Sequence, residues 1–153
     1  MEPIFAAALS RLEEMHQDYF EYLDGLSSEE LDWSPGPEMN SLCVLAVHVT
    51  AAERFWIGLA IDDISERDRP AEFLASGYEL EALKARFRAN SAFFREAFER
   101  QDGSRLTETL DISHYMARPP QLVTRGYALI RGLDHTAEHM GHAGMTRQLL
   151  DRR

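Results

Sequence analysis

The sequence predicts an all-α fold, a bundle of four long helices in one domain. Three observations predict it. All six prolines lie at positions 3, 35, 37, 70, 119 and 120, which leaves four long stretches free of a residue that interrupts helices. Each stretch repeats its apolar residues at spacings of three and four, the period of an amphipathic helix. A chain of 153 residues fits a single core, so residues 1–153 are read as one domain.

The first helix is expected over 4–24, with Phe5, Leu9, Leu12, His16, Tyr19 and Leu23 as its inward stripe and Asp24-Gly25 as its end. Between Ser27 and Pro37 the residues predict one short helical turn started by Ser27 or Ser28, followed by a proline-rich loop. Asn40 or Ser41 caps the second helix, over 41–60, whose stripe is Leu42, Leu45, Val49, Ala52, Trp56 and Leu59, with His48 flanking it. A polar connection over 62–77 leads to the third helix at 79–100. Leu80, Leu83, Phe87, Phe94 and Phe98 form its core face, and Glu81, Lys84, Arg88, Arg95 and Glu99 its wet face. Asp102-Gly103 stops it. Arg105 to Ile112 alternates polar and apolar residues like a strand, so 104–120 reads as a short irregular or extended arm, or a hairpin, between helices three and four. The fourth helix is expected from Pro120-Gln121 to about Leu150. It contains Gly126, Gly132, Gly141 and Gly144, each costing up to about 1 kcal/mol relative to Ala, so a second helix or a ligand should approach closely there.

A formal charge of -10 argues against a nucleic-acid partner, because phosphate binding needs a concentrated basic face and the Lys and Arg residues are scattered. One cysteine, Cys43, excludes an internal disulfide and a cysteine-based metal cage and fits a reducing compartment; it reads as a buried small hydrophobe. Residues 1–10 lack a basic n-region and meet Arg11, Glu13 and Glu14, unlike a signal peptide. No run is expected to have the apolar length of a membrane span, so a cytoplasmic protein without a membrane partner is expected.

The chemistry concentrates in His135-Thr136-Ala137-Glu138-His139-Met140-Gly141-His142. At about 100° per residue, the three histidines leave a helix within a sector of roughly 60°. Neutral imidazoles four residues apart can bind one ion from successive turns. The heavy apolar stripe Leu122, Leu129, Leu133, Ala137 and Met140 lies opposite, while Arg125, Ala128, Gly132, Ala143 and Thr146 flank the histidines. Either the histidines are exposed, or the helix is buried on two sides with its small-residue face lining a cleft or a dimer contact. His48, inside an apolar run, is the natural third ligand, since burying it calls for a hydrogen bond or a metal. Glu138 completes the order His-x-x-Glu-His of inverted zinc peptidases, but too little chain follows His139 to supply their downstream carboxylate. It remains a candidate for assisting a bound water, beside the alternative of a solvated carboxylate. His16 and His114 read as packing or surface residues, and Arg118, Arg125 and Arg131 as surface charges or as charges at the mouth of a site.

The series Leu26-Ser27, Leu31-Asp32-Trp33-Ser34-Pro35, Asn40-Ser41, a histidine seven residues later, and His135-x-x-x-His139 before Gly141-His142 resembles the DinB-like (YfiT-like) metal-binding four-helix-bundle superfamily. The similarity covers nearly the whole chain, strongest around 26–56 and 133–150 and weak over 61–120. It implies an up-down-down-up bundle, often a homodimer, with a divalent metal on one histidine of helix two and two of helix four. These are His48, His135 and His139, with His142 beside them or lining the pocket, or else an exposed polar residue near the helix end. Open positions on such an ion describe a catalytic site. Three imidazoles suit zinc, nickel, copper and iron alike; zinc or nickel is expected. The resemblance further implies a small-molecule substrate and thiol S-transfer with a low-molecular-weight thiol, or hydrolysis by metal-bound water. The alternative is a non-catalytic, stress-related bundle that binds metal or dimerises.

Overall fold

The computed structural model describes residues 1–62, 66–115 and 121–153. Among these, four long helices form the bundle: α1 (Pro3–Leu23), α3 (Leu42–Ile61), α5 (Leu80–Phe98) and α6 (Arg125–Leu150). Two short helices, α2 (Ser28–Asp32) and α4 (Arg69–Glu72), lie in the connections.

The helix starts follow from their caps. Pro3 sits in the first turn of α1, where a missing N–H costs nothing. Ser27 and Glu30 form a reciprocal capping box at α2: the Ser27 hydroxyl accepts from the Glu30 N–H at 3.3 Å, and the Glu30 carboxylate from the Ser27 N–H at 2.8 Å. Ser41 accepts from the Val44 N–H at 3.1 Å and starts α3. Gly25 follows α1 at φ +73°, a conformation open to glycine without a Cβ penalty.

Contacts between the long helices fix their directions. Phe5, at the start of α1, packs on Phe98, at the end of α5, with ring centroids 5.2 Å apart, so these helices run antiparallel. Asn90 Nδ2 donates to the Thr50 carbonyl at 2.9 Å and Gln101 Nε2 to that of Ile61 at 3.5 Å, so α3 and α5 run in the same direction. Arg147, near the end of α6, donates to the carbonyls of Tyr22 and Asp24 just where α1 ends. Arg125, at the start of α6, reaches the Leu59 carbonyl near the end of α3. The order is therefore up-down-down-up, as the family resemblance implied.

Two apolar clusters make the core. One gathers Phe5, Leu9, Leu12, Met15, Phe94, Phe98 and Leu129, the other Tyr19, Leu23, Leu45, Val49, Phe87 and Ala143. Between them every long helix contributes a buried polar residue. Glu53 of α3 accepts from His16 Nε2 of α1 (3.0 Å), Thr136 Oγ1 of α6 (3.1 Å) and Asn90 Nδ2 of α5 (2.7 Å), and His16 Nδ1 meets Ser91 Oγ at 2.8 Å. A fully buried carboxylate is tolerated because these donors replace its lost hydration.

Three expectations are corrected. Residues 122–124, assigned to helix four, form strand β2 (Leu122–Thr124), which pairs antiparallel with β1 (Thr109–Asp111) in the register Leu110↔Val123. Val123 is buried and its neighbours Leu122 and Thr124 are exposed, a two-residue period, and Thr124 then caps α6 by accepting from the Tyr127 N–H at 3.1 Å. Of the arm expected over 104–120, the described part is a 3₁₀ turn at Gly103–Thr107 followed by β1, which pairs with β2 beyond it; residues 116–120 lie outside the described residues. Arg125 is no surface charge: at 6 % exposure it binds Asp62 (2.6 Å), Glu108 (2.7 Å) and the carbonyls of Leu59 and Ala60, joining the hairpin to the end of α3. Finally, Leu42–Ile61 is long and apolar enough to cross a membrane, but most of it is buried by the other helices, which accounts for its composition.

Candidate metal centre

Helix α3 supplies His48 and α6 supplies His135 and His139. The close packing of these two helices begins at Gly132, one turn before His135: a Cβ there would meet Ile57 Cγ1 at 2.7 Å and Trp56 Cβ at 3.3 Å. The small-residue face of α6, with Ala128, Gly132, Ala143 and Thr146, is consequently the deeply buried one. Leu133, Ala137 and Met140 are half-buried against the core from the other flank. The helix is thus covered on two sides, and His135 and His139 are turned toward His48 of α3. Gly126 and Gly144 also meet neighbours, the Leu106 carbonyl and the Tyr22 ring, whereas no described residue comes within 4 Å of a Cβ at Gly141, so no second helix approaches closely there among the described residues.

The three rings converge. Ring centroids are 5.0 Å apart for His48 and His135, 4.8 Å for His48 and His139, and 4.5 Å for His135 and His139. One nitrogen from each ring lies within 4.8 Å of the other two. Burial, then repulsion from His139 and His48, pushes the His135 pKa down to about 3. Burial, then His48 and His142, pushes His139 to about 4. Burial also lowers His48, against the opposing pull of Glu72. All three are neutral near pH 7, the form that offers a lone pair to a metal. Among the described residues, His135 Nδ1 is buried without a hydrogen-bond partner, which an imidazole seldom tolerates unless something binds there. This donor set fits a divalent transition metal.

Beside His135 opens a cleft of about 880 Å³. Phe55, Trp56 and Tyr115 supply aromatic wall, and Arg67, Arg69, Arg131 and His114 polar wall. Of the arginines expected at the mouth of a site, only Arg131 is there; Arg118 lies outside the described residues. The residues missed from sequence are Arg67 and Glu72, in the connection read only as polar. His48 Nδ1 lies 2.8 Å from Glu72 Oε2, and Arg67 binds both Glu72 oxygens through Nε (2.7 Å) and Nη2 (2.9 Å). A signal was present: Asp68 two residues before Pro70 is an N-cap followed by proline in the first turn, and Asp68 does accept from the Ala71 N–H at 3.1 Å to start α4.

The other candidates are placed as follows. Glu138 is exposed and lies 3.8 Å from Arg131. His142 is exposed, its Nδ1 3.1 Å from that of His139, and it lines a separate cavity of about 250 Å³ with Met39, Leu45 and Met145. His16 belongs to the buried polar layer and His114 to the cleft wall. Cys43 is buried, and its thiol pKa is pushed up to about 11 by burial and by the neighbouring Asp32.

Comparisons with known proteins bear on this geometry. No curated protein matches the chain. A conserved protein from Enterococcus faecalis shares the fold with a TM-score of 0.78 at 19% identity, over 100% of both chains. A DinB-like protein from Bacillus cereus does so with a TM-score of 0.71 at 17% identity, over 92% of this chain and 89% of its own. The family described as mycothiol-S-transferase (MST) matches residues 8–152. The chain therefore belongs to the mycothiol-S-transferase family of DinB-like bundle proteins.

Proposed function

We propose that the protein is a metal-dependent thiol S-transferase in which His48, His135 and His139 hold one divalent ion, zinc or nickel. The observation that carries this reading is the convergence of three neutral imidazoles, two buried and His139 half-buried, beside a cleft of about 880 Å³ in a chain of this family. When bound, such an ion lowers the pKa of a coordinated thiol or water and so supplies a nucleophile at neutral pH. Phe55, Trp56 and Tyr115 offer apolar surface to the substrate and limit the water around it. Arg67 and Arg131 line the same space, and their positive charge favours negative charge developing there. Glu138, on the exposed flank, enters only as a proton acceptor reached through solvent.

The reading includes a cytoplasmic location and a homodimer. Support for the second comes from Tyr127, Ile130, Met145 and Leu149, exposed apolar side chains that share one face of α6 over a sector of roughly 100°.

The test is turnover of a soluble electrophile with mycothiol, glutathione or bacillithiol by the metal-loaded protein. Consumption of one thiol per electrophile, abolished by chelation and by His139→Ala, is expected. Chelator-sensitive cleavage of an ester without thiol would favour the hydrolytic form of the reading. Metal binding without turnover on any thiol or ester would overturn it in favour of a non-catalytic metal-binding bundle.

A further inference from the structure

The side chain that orients the histidine centre comes from outside the two helices that build it. We propose that Glu72, clamped by Arg67, is the positioning residue for His48: it holds the imidazole as the Nδ1–H tautomer and leaves Nε2 as the nitrogen free for an ion. This inference rests on the reading of His48, His135 and His139 as a metal centre.

Distances decide the tautomer. A carboxylate only accepts hydrogen bonds, so the 2.8 Å contact between His48 Nδ1 and Glu72 Oε2 requires the proton on Nδ1. The competing arrangement, a bare Nδ1 accepting from Arg67 Nη2, would use a longer contact of 3.4 Å and would set a lone pair against the carboxylate. With its single proton on Nδ1, the neutral ring keeps its lone pair on Nε2. The clamp is rigid because it is buried and doubly tied. Glu72 is 5 % exposed, and Arg67 takes both of its oxygens in a two-pronged pair whose planar geometry fixes the carboxylate. Phe73, the next residue, packs its ring against that of His48 with the centroids 4.7 Å apart. Such carboxylate partners of ligating histidines set ring orientation and typically contribute 10–100-fold to metal affinity.

Arg67 also lines the cleft beside His135, so the wall that meets a substrate and the clamp on a ligand are one side chain.

The experiment has two readouts on wild type, Glu72→Gln and Glu72→Ala, each checked for folding by circular dichroism. The first is long-range ¹⁵N NMR of the histidine rings in metal-free protein. Wild-type His48 should be the Nδ1–H tautomer, Glu72→Ala should shift it toward Nε2–H, and Glu72→Gln, whose amide oxygen still accepts, should largely keep it. The second is Zn²⁺ affinity by competition with a chromophoric chelator: Glu72→Ala should bind about 10–100-fold more weakly and Glu72→Gln should recover a large part of the loss. A wild-type His48 in the Nε2–H form, or a Glu72→Ala affinity within twofold of wild type, would overturn the proposal. A wild type that binds no Zn²⁺ would overturn the metal centre itself, while the ring tautomer still reports on Glu72. If Glu72→Ala does not fold, the wild-type tautomer and Glu72→Gln decide.

Discussion

Replacing Glu53 by Ala should destabilise the bundle by about 3–5 kcal/mol, the range for removing one partner of a buried, hydrogen-bonded charge. The magnitude follows from what each donor has left. Thr136 Oγ1 keeps the Gly132 carbonyl at 3.0 Å and Asn90 Nδ2 keeps the Thr50 carbonyl at 2.9 Å, so neither is orphaned. His16 Nε2 loses its one partner among the described residues, in a site closed to water. An unsatisfied buried donor costs about 1–3 kcal/mol, and the space left by the missing carboxyl adds packing loss among four helices. For a domain of this size, where 1 kcal/mol shifts Tm by about 2–4 °C, the combined loss corresponds to a fall of roughly 6–20 °C. Calorimetry and urea unfolding of Glu53→Ala against wild type measure it. A double-mutant cycle with His16→Ala should return a coupling of at least about 1 kcal/mol, since the two side chains serve one another. A loss below about 1 kcal/mol for Glu53→Ala, or additive single losses, would refute the claim that this polar layer holds the four helices in register.

Two glycines of α6 should respond in opposite directions. Gly132→Val drives a side chain into fully buried Ile57 and should cost about 1–3 kcal/mol while weakening metal binding, because it parts α6 from α3 just before His135. Gly141→Ala, facing open space, should instead stabilise by up to about 1 kcal/mol; urea midpoints of both variants check the contrast. Cys43, with its thiol pKa raised from 9.0 to about 11, should be inert to Ellman's reagent at pH 8 until the protein unfolds. A folded pKa above the unfolded one means that this stabilisation is complete below pH 9 and is lost as pH rises through about 11, by up to about 2–3 kcal/mol. Tyr19, also raised by burial, acts in the same direction, so a urea midpoint that stays flat from pH 9 to 11 would contradict both assignments.

The helices were legible because proline placement, caps and periodicity all report local physics. Ser27, Ser41 and Asp24-Gly25 mark ends that depend on neighbours two or three residues away. The site was legible only in part. The spacing of His135 and His139 is a property of one helix, but their meeting with His48 depends on which face α6 turns inward. There the bulk of Leu133 and Met140 points one way and Gly132 the other. Close packing at Gly132 decided it, a choice of shape over hydrophobic mass that no wheel can weigh. Glu72 and Arg67 stayed hidden because α4 is a single turn without apolar periodicity, and its partner lies twenty-four residues away on α3. Strand β2 was missed for a related reason. Leu122 to Thr124 carries too few residues to separate a two-residue period from a helical one, and only pairing with β1 settles it.

The most direct measurement for the account is the metal content of the purified protein after dialysis against Zn²⁺ or Ni²⁺, determined by plasma mass spectrometry for wild type, His48→Ala, His135→Ala and His139→Ala. One ion per wild-type chain and a clear loss in each variant are predicted. Full occupancy in any of the three variants, or none in the wild type, would contradict the assignment of these histidines as one metal centre.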